Sequence, residues 1–210
     1  MKLHILVEGT SDKELLDRWL PRFIPQHSFN VLRHWGKGRL PQNPEQPPDP
    51  RRQGLLDQLP AKLRAFGSAF NPETDRILVL VDQDEDSCIE LKQRLLRVLD
   101  SCDPKPDVLF RIATRETEAF YLGEPTAIKR AFPKARLGKL SDYHPDIHPE
   151  EGTWELFCKV IGEETEDKVR WAEMMGNQLD ITKPFCRKNK SLCYRHFCRA
   201  ILQLVGEPYE

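Results

Sequence analysis

Acidic residues follow directly after two apolar segments of this chain. Glu8 comes after Ile5-Leu6-Val7, and Asp82 and Asp84 come after the run from Ile77 to Val81. Near-continuous aliphatic runs of this kind predict strands of a parallel sheet that is covered on both faces. Because the functional crevice of such a sheet lies at the carboxyl ends of its strands, the three carboxylates are expected to converge there. Carboxylates that crowd together repel each other, so a hard divalent cation such as Mg²⁺ or Mn²⁺ is the expected occupant.

The spacing of the two aspartates favours a shared metal ion. In an extended segment, residues two apart lie on the same face, so Asp82 and Asp84 can face one cation while Gln83 points away. Glu8 is followed by Gly9, which permits a close backbone approach. We therefore predict that Glu8, Asp82 and Asp84 bind the metal.

Acids at strand ends have a second possible role, because negative charge also stabilises the start of a following helix. Asp12 and Asp86 lie close to predicted helix starts and fit that role. The segments 11–14 and 87–90 both match the capping-box pattern, in which a serine caps the helix and a glutamate three residues later completes the box. For Asp12, metal binding and helix capping are both open.

The order of the elements predicts a four-stranded α/β domain. Strands are expected from the start of the chain to Val7 and over 29–35, 76–82 and 108–113, with helical patterns after Ser11, over 55–70 and after Ser87. This βαβαβαβ order predicts a parallel, Rossmann-like sheet with right-handed crossovers and helices on both faces. The strand at 29–35 mixes aromatic, β-branched and charged residues, which favours an edge position.

Beyond Thr114 the strand signal disappears. Helical patterns cover 116–122, 125–132, 153–161, 163–179 and 191–205. They predict an α-helical extension packed beside the sheet. We therefore divide the chain into an α/β core, residues 1–122, and a helical extension, residues 123–210.

A proline-rich loop interrupts the core at residues 36–53. Its composition does not support regular structure. It carries the basic residues Lys37, Arg39, Arg51 and Arg52. The loop is either a basic flap whose side chains meet phosphates or a solvated surface insertion.

A second acidic segment, Arg115-Glu116-Thr117-Glu118, follows the last predicted strand and enters the same crevice. If this turn is helical, Glu116 and Glu118 are not on the same face, so one would reach the site while the other pairs with Arg115 or caps the helix. We prefer Glu118 for the site, because Ala119-Phe120 after it have the character of core residues that fix its direction. A surface ion pair is the alternative for each glutamate.

The two strand-end motifs, Glu8-Gly9 and Asp82-Gln83-Asp84, resemble those of the TOPRIM domain, the metal-binding catalytic module of topoisomerases, primases and overcoming-lysogeny-defect (OLD) nucleases. This resemblance implies a TOPRIM-like fold in which the acids bind Mg²⁺ or Mn²⁺. The nuclease branch adds an aspartate one turn into the first helix, and Asp12 matches it. In OLD-type nucleases a lysine beyond the acidic motifs assists the reaction; Lys183 and Lys188 are candidates by position, and Lys188 is taken as the catalytic candidate.

Two further segments, 115–120 and 191–197, resemble motifs of DUF4276, a TOPRIM-related family of bacterial proteins. Members of that family commonly accompany ABC-type or AAA-type ATPases in defence-like settings. The resemblance therefore implies an ATPase partner and a role in phage defence.

The charges of the chain nearly cancel, with a net charge of −1 over 210 residues. No global basic field therefore indicates nucleic-acid binding, and contacts with DNA or RNA would depend on local patches. One such region mixes basic and aromatic residues: Lys183, Phe185, Arg187, Lys188, Lys190, Tyr194, Arg195, Phe197 and Arg199. A phosphate-binding patch and a solvated helical face are both open for this region.

No apolar run approaches the roughly 20 residues needed to span a bilayer, and the first residues already match a strand, so no membrane association and a cytoplasmic location are expected. The chain has 6 cysteines, which are expected to be reduced there. Cys186, Cys193, His196 and Cys198 lack the paired spacing of structural zinc sites, which favours free thiols over zinc.

These patterns predict a metal-dependent nuclease that acts on DNA or RNA, with Glu8, Asp82 and Asp84 helped by Asp12 and Glu118. No tyrosine lies in a convincing nucleophile position, which argues against topoisomerase chemistry, and without a P-loop the chain would depend on a partner for ATP hydrolysis. Two alternatives remain: a non-catalytic regulatory subunit that binds a partner, and phosphoryl chemistry on a small nucleotide.

Overall fold

Four parallel strands form the centre of the protein. The computed structural model describes residues 1–113, 116–144, 152–164, 166–183 and 186–209. The strands are β1 (Lys2–Val7), β2 (Ser28–Arg33), β3 (Asp75–Asp82) and β4 (Val108–Ala113), and they lie in the order β2-β1-β3-β4. The predicted parallel, Rossmann-like sheet is confirmed, and β2 lies at its edge as expected.

Helices cover both faces of this sheet. Those described are α1 (Thr10–Phe23), α2 (Leu55–Ala69), α3 (Cys88–Asp100), α4 (Glu118–Leu122), α5 (Pro125–Ala131), α6 (Thr153–Ile161), α7 (Lys168–Gly176) and α8 (Leu192–Val205), with a 3₁₀ helix at Leu137–Leu140 that the sequence did not predict. The helical region after the sheet is confirmed. The predicted helix at 163–179 is shorter than expected, because Asp167 accepts a hydrogen bond from the Arg170 N–H and caps α7 there.

The alternation of side chains along the strands produces two apolar clusters. Leu3, Ile5 and Val7 of β1 pack on one side with α1 and α4 to α8, whereas Leu6 packs on the other side with α2 and α3. Because successive strand residues point to opposite faces, an uninterrupted apolar run satisfies both clusters at once. This burial on both faces explains why β1 and β3 are aliphatic almost throughout.

The start of α1 differs from the predicted capping box. Gly9, not Ser11, is the N-cap residue, and the helix begins at Thr10, directly after the strand. Asp12 completes the first turn by accepting a hydrogen bond from the Gly9 N–H at 3.0 Å. The prediction failed because an aspartate three residues after the cap performs the role that was assigned to Glu14.

Helix α7 runs alongside α1 in the same direction. Glu173 pairs with Arg18 at 2.8 Å, and the Gly176 carbonyl accepts from Arg22 at 2.8 Å. A Cβ at Gly176 would lie 2.7 Å from the Leu15 carbonyl oxygen, so glycine permits this close approach. The parallel alignment brings the N-termini of both helices to the same end of the sheet.

The proline-rich loop contains neither helix nor strand, as predicted. Its two ends meet, because the N–H groups of Leu55 and Leu56 donate to the carbonyl oxygens of Gly36 and Lys37 at 2.8 and 2.7 Å. Within the described ranges, no helix is long and apolar enough to cross a membrane.

Candidate active site

Acidic side chains from three segments meet at the carboxyl end of the sheet. Glu8 follows β1 and accepts a hydrogen bond from the Asp82 N–H, at the end of β3, at 2.8 Å. The negative charges of Asp12, Glu8, Glu118 and Asp84, in that order, act on the Asp82 carboxyl group. The structure therefore brings together all five acids that were predicted to bind metal. We refer to these five residues as the acidic cluster.

Asp12 joins two parts of the acidic cluster. One carboxylate oxygen accepts from the Gly9 N–H, and the other accepts from the Thr117 hydroxyl at 2.9 Å. Asp12 is only 6% exposed, so these bonds fix its position. It thus caps α1 and also faces the other acids, which makes the two roles proposed from the sequence compatible.

Glu116 and Glu118 both face one lysine. The Lys168 Nζ lies 3.3 Å from Glu116 Oε1 and 3.6 Å from Glu118 Oε1. The expectation that the two glutamates face different ways was wrong, because α4 begins only at Glu118 and Glu116 precedes the helix. Arg115, the other suggested partner, lies outside the described residues.

Asp84 lies at the exposed rim of the acidic cluster. Its φ of 49° is left-handed, so the argument that extended residues two apart share a face was wrong for this pair. The strand ends at Asp82, and Asp84 instead pairs with Lys37 at 3.0 Å. Lys37 also contacts Asp86 at 2.7 Å and the Gln83 carbonyl at 2.9 Å, so this residue of the proline-rich loop closes over the acidic turn.

Burial makes ionisation of the acidic cluster unfavourable. Burial, with further contributions from Asp12 and Asp84, raises the pKa of Glu8 from 4.5 to about 8, although the Asp82 N–H opposes the shift. Burial likewise raises the pKa of Glu118 to about 7, and the pKa values of Asp12 and Asp82 also rise. Perturbed carboxyl groups of this kind are typical of sites that bind a cation or transfer a proton.

Lys168 is a site residue that sequence reasoning missed. Burial alone would lower the pKa of Lys168, but Glu118 and Glu116 outweigh that effect and raise it, so the side chain stays charged. Lys168 is the first residue of α7, where a positive charge opposes the helix dipole. A lysine at such a position suggests that a carboxylate partner lies nearby. This is the feature of the sequence from which the role of Lys168 could have been predicted.

The lysines assigned by position lie apart from these contacts. Lys183 pairs with Glu207, and the Lys188 N–H donates to Asp180 at 3.0 Å. The Lys188 side chain is exposed, and no contact between it and the acidic cluster is found in the described part of the chain. The cations that act on the acidic cluster are instead Lys168 and Lys37.

The cysteine cluster does not have the geometry of a zinc site. Cys186 and Cys198 are buried with their sulfur atoms 2.7 Å apart, whereas His196 is exposed. None of the six cysteines is paired in a disulfide.

A cleft of about 240 Å³ opens beside the acidic cluster. Its walls include Asp84, Glu85, Glu116 and Trp154. One carboxylate oxygen of Glu116 is buried without a hydrogen-bond partner among the described residues. The cleft is therefore lined mainly by acidic residues, and one of them carries a carboxylate oxygen that a cation could satisfy.

Hard oxygen donors of this kind suit Mg²⁺ or Mn²⁺. As they stand, no three His, Cys, Asp or Glu side chains of the described residues are arranged to hold a metal ion. The reason is visible in the contacts: Glu8 is bonded to a backbone N–H, Asp12 to Thr117, and Asp84 to Lys37. The donors fit the metal in chemistry, and binding requires some of these bonds to be exchanged.

Replacing Lys168 with methionine is expected to lower the free energy of unfolding by about 1–3 kcal/mol at about pH 8, since two acids lose their cation. The loss should be smaller at about pH 5, where Glu118 is protonated in the native state. Urea unfolding at both pH values measures the difference. Lys105→Met, which removes the partner of the exposed Asp100, is the matched control. An equal loss at both pH values would contradict the assigned pairing.

Comparison with known proteins gives one family match. The model of the family described as a domain of unknown function (DUF4276) matches residues 7–201. No curated protein and no solved structure shows a significant match to the chain. The matched range begins just before Glu8 and includes every residue of the acidic cluster and Lys168.

Proposed function

The chain belongs to the DUF4276 family, and we propose that it is a metal-dependent phosphodiesterase that cleaves DNA or RNA. The observation that carries this proposal is the convergence of Glu8, Asp12, Asp82 and Glu118 at the carboxyl end of a parallel sheet. Keeping these buried and half-buried acids together costs stability, and a bound cation would offset that cost. The resemblance of the motifs to the TOPRIM domain of OLD-type nucleases supports the same chemistry.

Each residue of the site would have a role set by its position, either binding the metal or holding another acid in place. Glu8 and Asp82, with Asp84 at the rim, would provide the oxygen donors, while Thr117 and the Gly9 N–H hold Asp12 in place behind them. When bound, Mg²⁺ or Mn²⁺ would polarise the phosphodiester and lower the pKa of the attacking water. Glu8, with a pKa of about 8, would give up its proton as the cation enters.

Two lysines would complete the site. Lys168 keeps its charge beside Glu116 and Glu118 and can stabilise negative charge on the substrate. Lys37 would exchange its contact with Asp84 for a phosphate when the cation neutralises that acid, while Asp86 keeps the lysine in place. The ion pairs of Lys168 and Lys37 support these two roles, because they hold both lysines at the edge of the acidic cluster.

Dependence on an ABC-type or AAA-type ATPase in a phage-defence system is part of this proposal. It is supported by the family resemblance and by the absence of a P-loop from the sequence. The partner would deliver the substrate or favour the metal-binding arrangement of the acids. Without it, the lone chain would be only weakly active.

One observation favours a second candidate function. Because the acids of the described ranges are bonded to protein groups rather than arranged around a cation, a non-catalytic subunit that binds a partner is consistent with the geometry. Small-nucleotide chemistry also stays open, because a second cleft of about 500 Å³, lined by Lys37, Arg39, Asp84 and Arg94, adjoins the acidic cluster and has the volume of a small-molecule site.

Cleavage by the purified chain tests the first candidate. With Mn²⁺ or Mg²⁺, the chain alone or together with the proposed ATPase partner should cleave single-stranded or double-stranded DNA or RNA, and EDTA should stop the reaction. Glu8→Gln should be inactive, whereas Glu45→Gln, in the proline-rich loop, should remain active. Absence of cleavage under all of these conditions would favour the non-catalytic subunit.

A further inference from the structure

Trp35 is unusually exposed for a tryptophan. Its side chain is 71% exposed, whereas Trp19 and Trp171 are 1% and 0% exposed and belong to the core. Tryptophan gains more than most residues from burial, so this exposed ring can gain free energy from contact with a ligand.

Backbone hydrogen bonds hold the segment around Trp35 against the end of β1, where Glu8 lies. The N–H groups of His34 and Gly36, on either side of it, donate to the carbonyl oxygens of Val7 and Glu8 at 3.1 and 2.9 Å. The Trp35 N–H itself donates to Gln53 at 3.0 Å. The segment that carries the exposed ring is thus fixed directly to the segment that carries Glu8.

Arg33 lies over the Trp35 ring. Its guanidinium carbon is 4.8 Å from the ring centroid. Arg33 is exposed, and it has no ion-pair partner in the parts of the chain that the structure describes. A flat aromatic ring paired with a flat, unneutralised cation suits a ligand with both a π-face and a negative charge.

A nucleotide with an unpaired base has both features. We propose that Trp35 and Arg33 form a stacking platform for an unpaired base of the substrate, next to the phosphate that enters the acidic cluster. This inference rests on the proposed function and narrows it to single-stranded nucleic acid or to the unpaired ends and junctions of duplexes. The bases inside an intact duplex are already stacked on each other and do not offer a free face.

Binding without cleavage tests the platform. In EDTA, fluorescence anisotropy with a short fluorescein-labelled single-stranded oligodeoxynucleotide should show a loss of affinity of about 5- to 150-fold in Trp35→Ala, as expected for one stacked base. Trp35→Phe should lose less, because it keeps an aromatic face. Ile89→Ala is the matched control, since Ile89 on α3 is also 71% exposed, and its affinity should be unchanged.

Abasic substitutions locate the stacked base. Removing one base at a time from the oligonucleotide should weaken binding to wild type at one position, and at that position Trp35→Ala should add no further loss. Additive losses at every position would overturn the platform. So would unchanged oligonucleotide binding in Trp35→Ala. Loss of binding to the proposed ATPase partner in the same variant would instead assign this surface to a protein.

The outcomes also separate this inference from the proposed function. Metal-dependent cleavage with no effect of Trp35→Ala on binding would refute the platform and leave the phosphodiesterase standing. Loss of binding in Trp35→Ala, with no cleavage under any metal, would support the platform and refute the phosphodiesterase.

Discussion

In Asp82→Asn, Mn²⁺ is expected to lose its stabilising effect, while the metal-free protein becomes more stable than wild type. The carboxyl group of Asp82 has its pKa raised well above 3.8 by burial and by the charges of Asp12, Glu8 and Glu118. Its pKa is therefore higher in the folded state than in the unfolded state. Near neutral pH this lowers the free energy of unfolding, because the folded protein must either hold a buried charge or bind a proton that the unfolded chain does not bind. Asparagine keeps the shape and removes this penalty.

The two effects have opposite signs, which makes the test specific. The metal-free variant should gain about 1–3 kcal/mol at about pH 8, and little at about pH 3, where unfolded aspartate is also largely protonated. Wild type should gain stability as Mn²⁺ is added, and the variant should not. Cleavage by the variant should fall by about 100- to 1,000-fold or more.

Thermal unfolding with and without Mn²⁺ measures both effects. Asp100→Asn is the control, because Asp100 is an exposed acid of α3 that pairs with Lys105. A variant that loses stability without metal, or that binds Mn²⁺ as wild type does, would remove Asp82 from the metal site.

Between about pH 5 and about pH 8, the metal-free protein should lose stability as the pH rises. Glu8 and Glu118 have ordinary pKa values of 4.5 that rise to about 8 and about 7 in the folded state. A carboxyl group with a raised pKa makes its full contribution to the free energy of unfolding below its unfolded pKa. That contribution is lost as the pH rises through its folded pKa. At about 1.4 kcal/mol per pKa unit, the expected loss over this range is about 6 kcal/mol for the two groups together.

Metal should reverse this trend, because a cation binds the deprotonated carboxylates and its affinity rises with pH. Chemical denaturation across this range, with and without Mn²⁺, measures the two slopes. The double variant Glu8→Gln/Glu118→Gln should show a flatter profile without metal. A wild-type stability that rises with pH in the absence of metal would mean that these carboxyl groups are not destabilised by burial.

The sequence predicted the sheet well because its signals are local. The aliphatic runs of β1 and β3 satisfy both apolar clusters, and turn residues or acids end them at defined points. The parallel order then required Glu8 and Asp82 to meet at one edge. The fold and the meeting of these acids were therefore predictable from residue types and spacing.

Three details of the site were not predictable in the same way. Lys168 reaches Glu118 only because α7 packs parallel to α1, and that packing depends on contacts far apart in sequence, such as Gly176 with Leu15. Asp84 adopts a left-handed backbone that an Asp-x-Asp pattern does not reveal. Lys188 was assigned by its position in the chain, which does not specify what its side chain contacts.

The meeting of the two ends of the proline-rich loop has a consequence for how this protein can change over evolution. Gly38 and Gly54 approach so closely that a Cβ on Gly54 would lie 2.5 Å from the Gly38 Cα, and hydrogen bonds from Leu55 and Leu56 fix the same junction. Since lengthening a closed loop costs little free energy, the loop can gain or lose residues at its exposed tip at little cost, whereas Leu40 packs on the core and the Pro44 carbonyl accepts from Arg64 of α2. The fold thus holds a replaceable module beside its acidic cluster, through which one scaffold could acquire different partners or substrates while its chemistry stays the same.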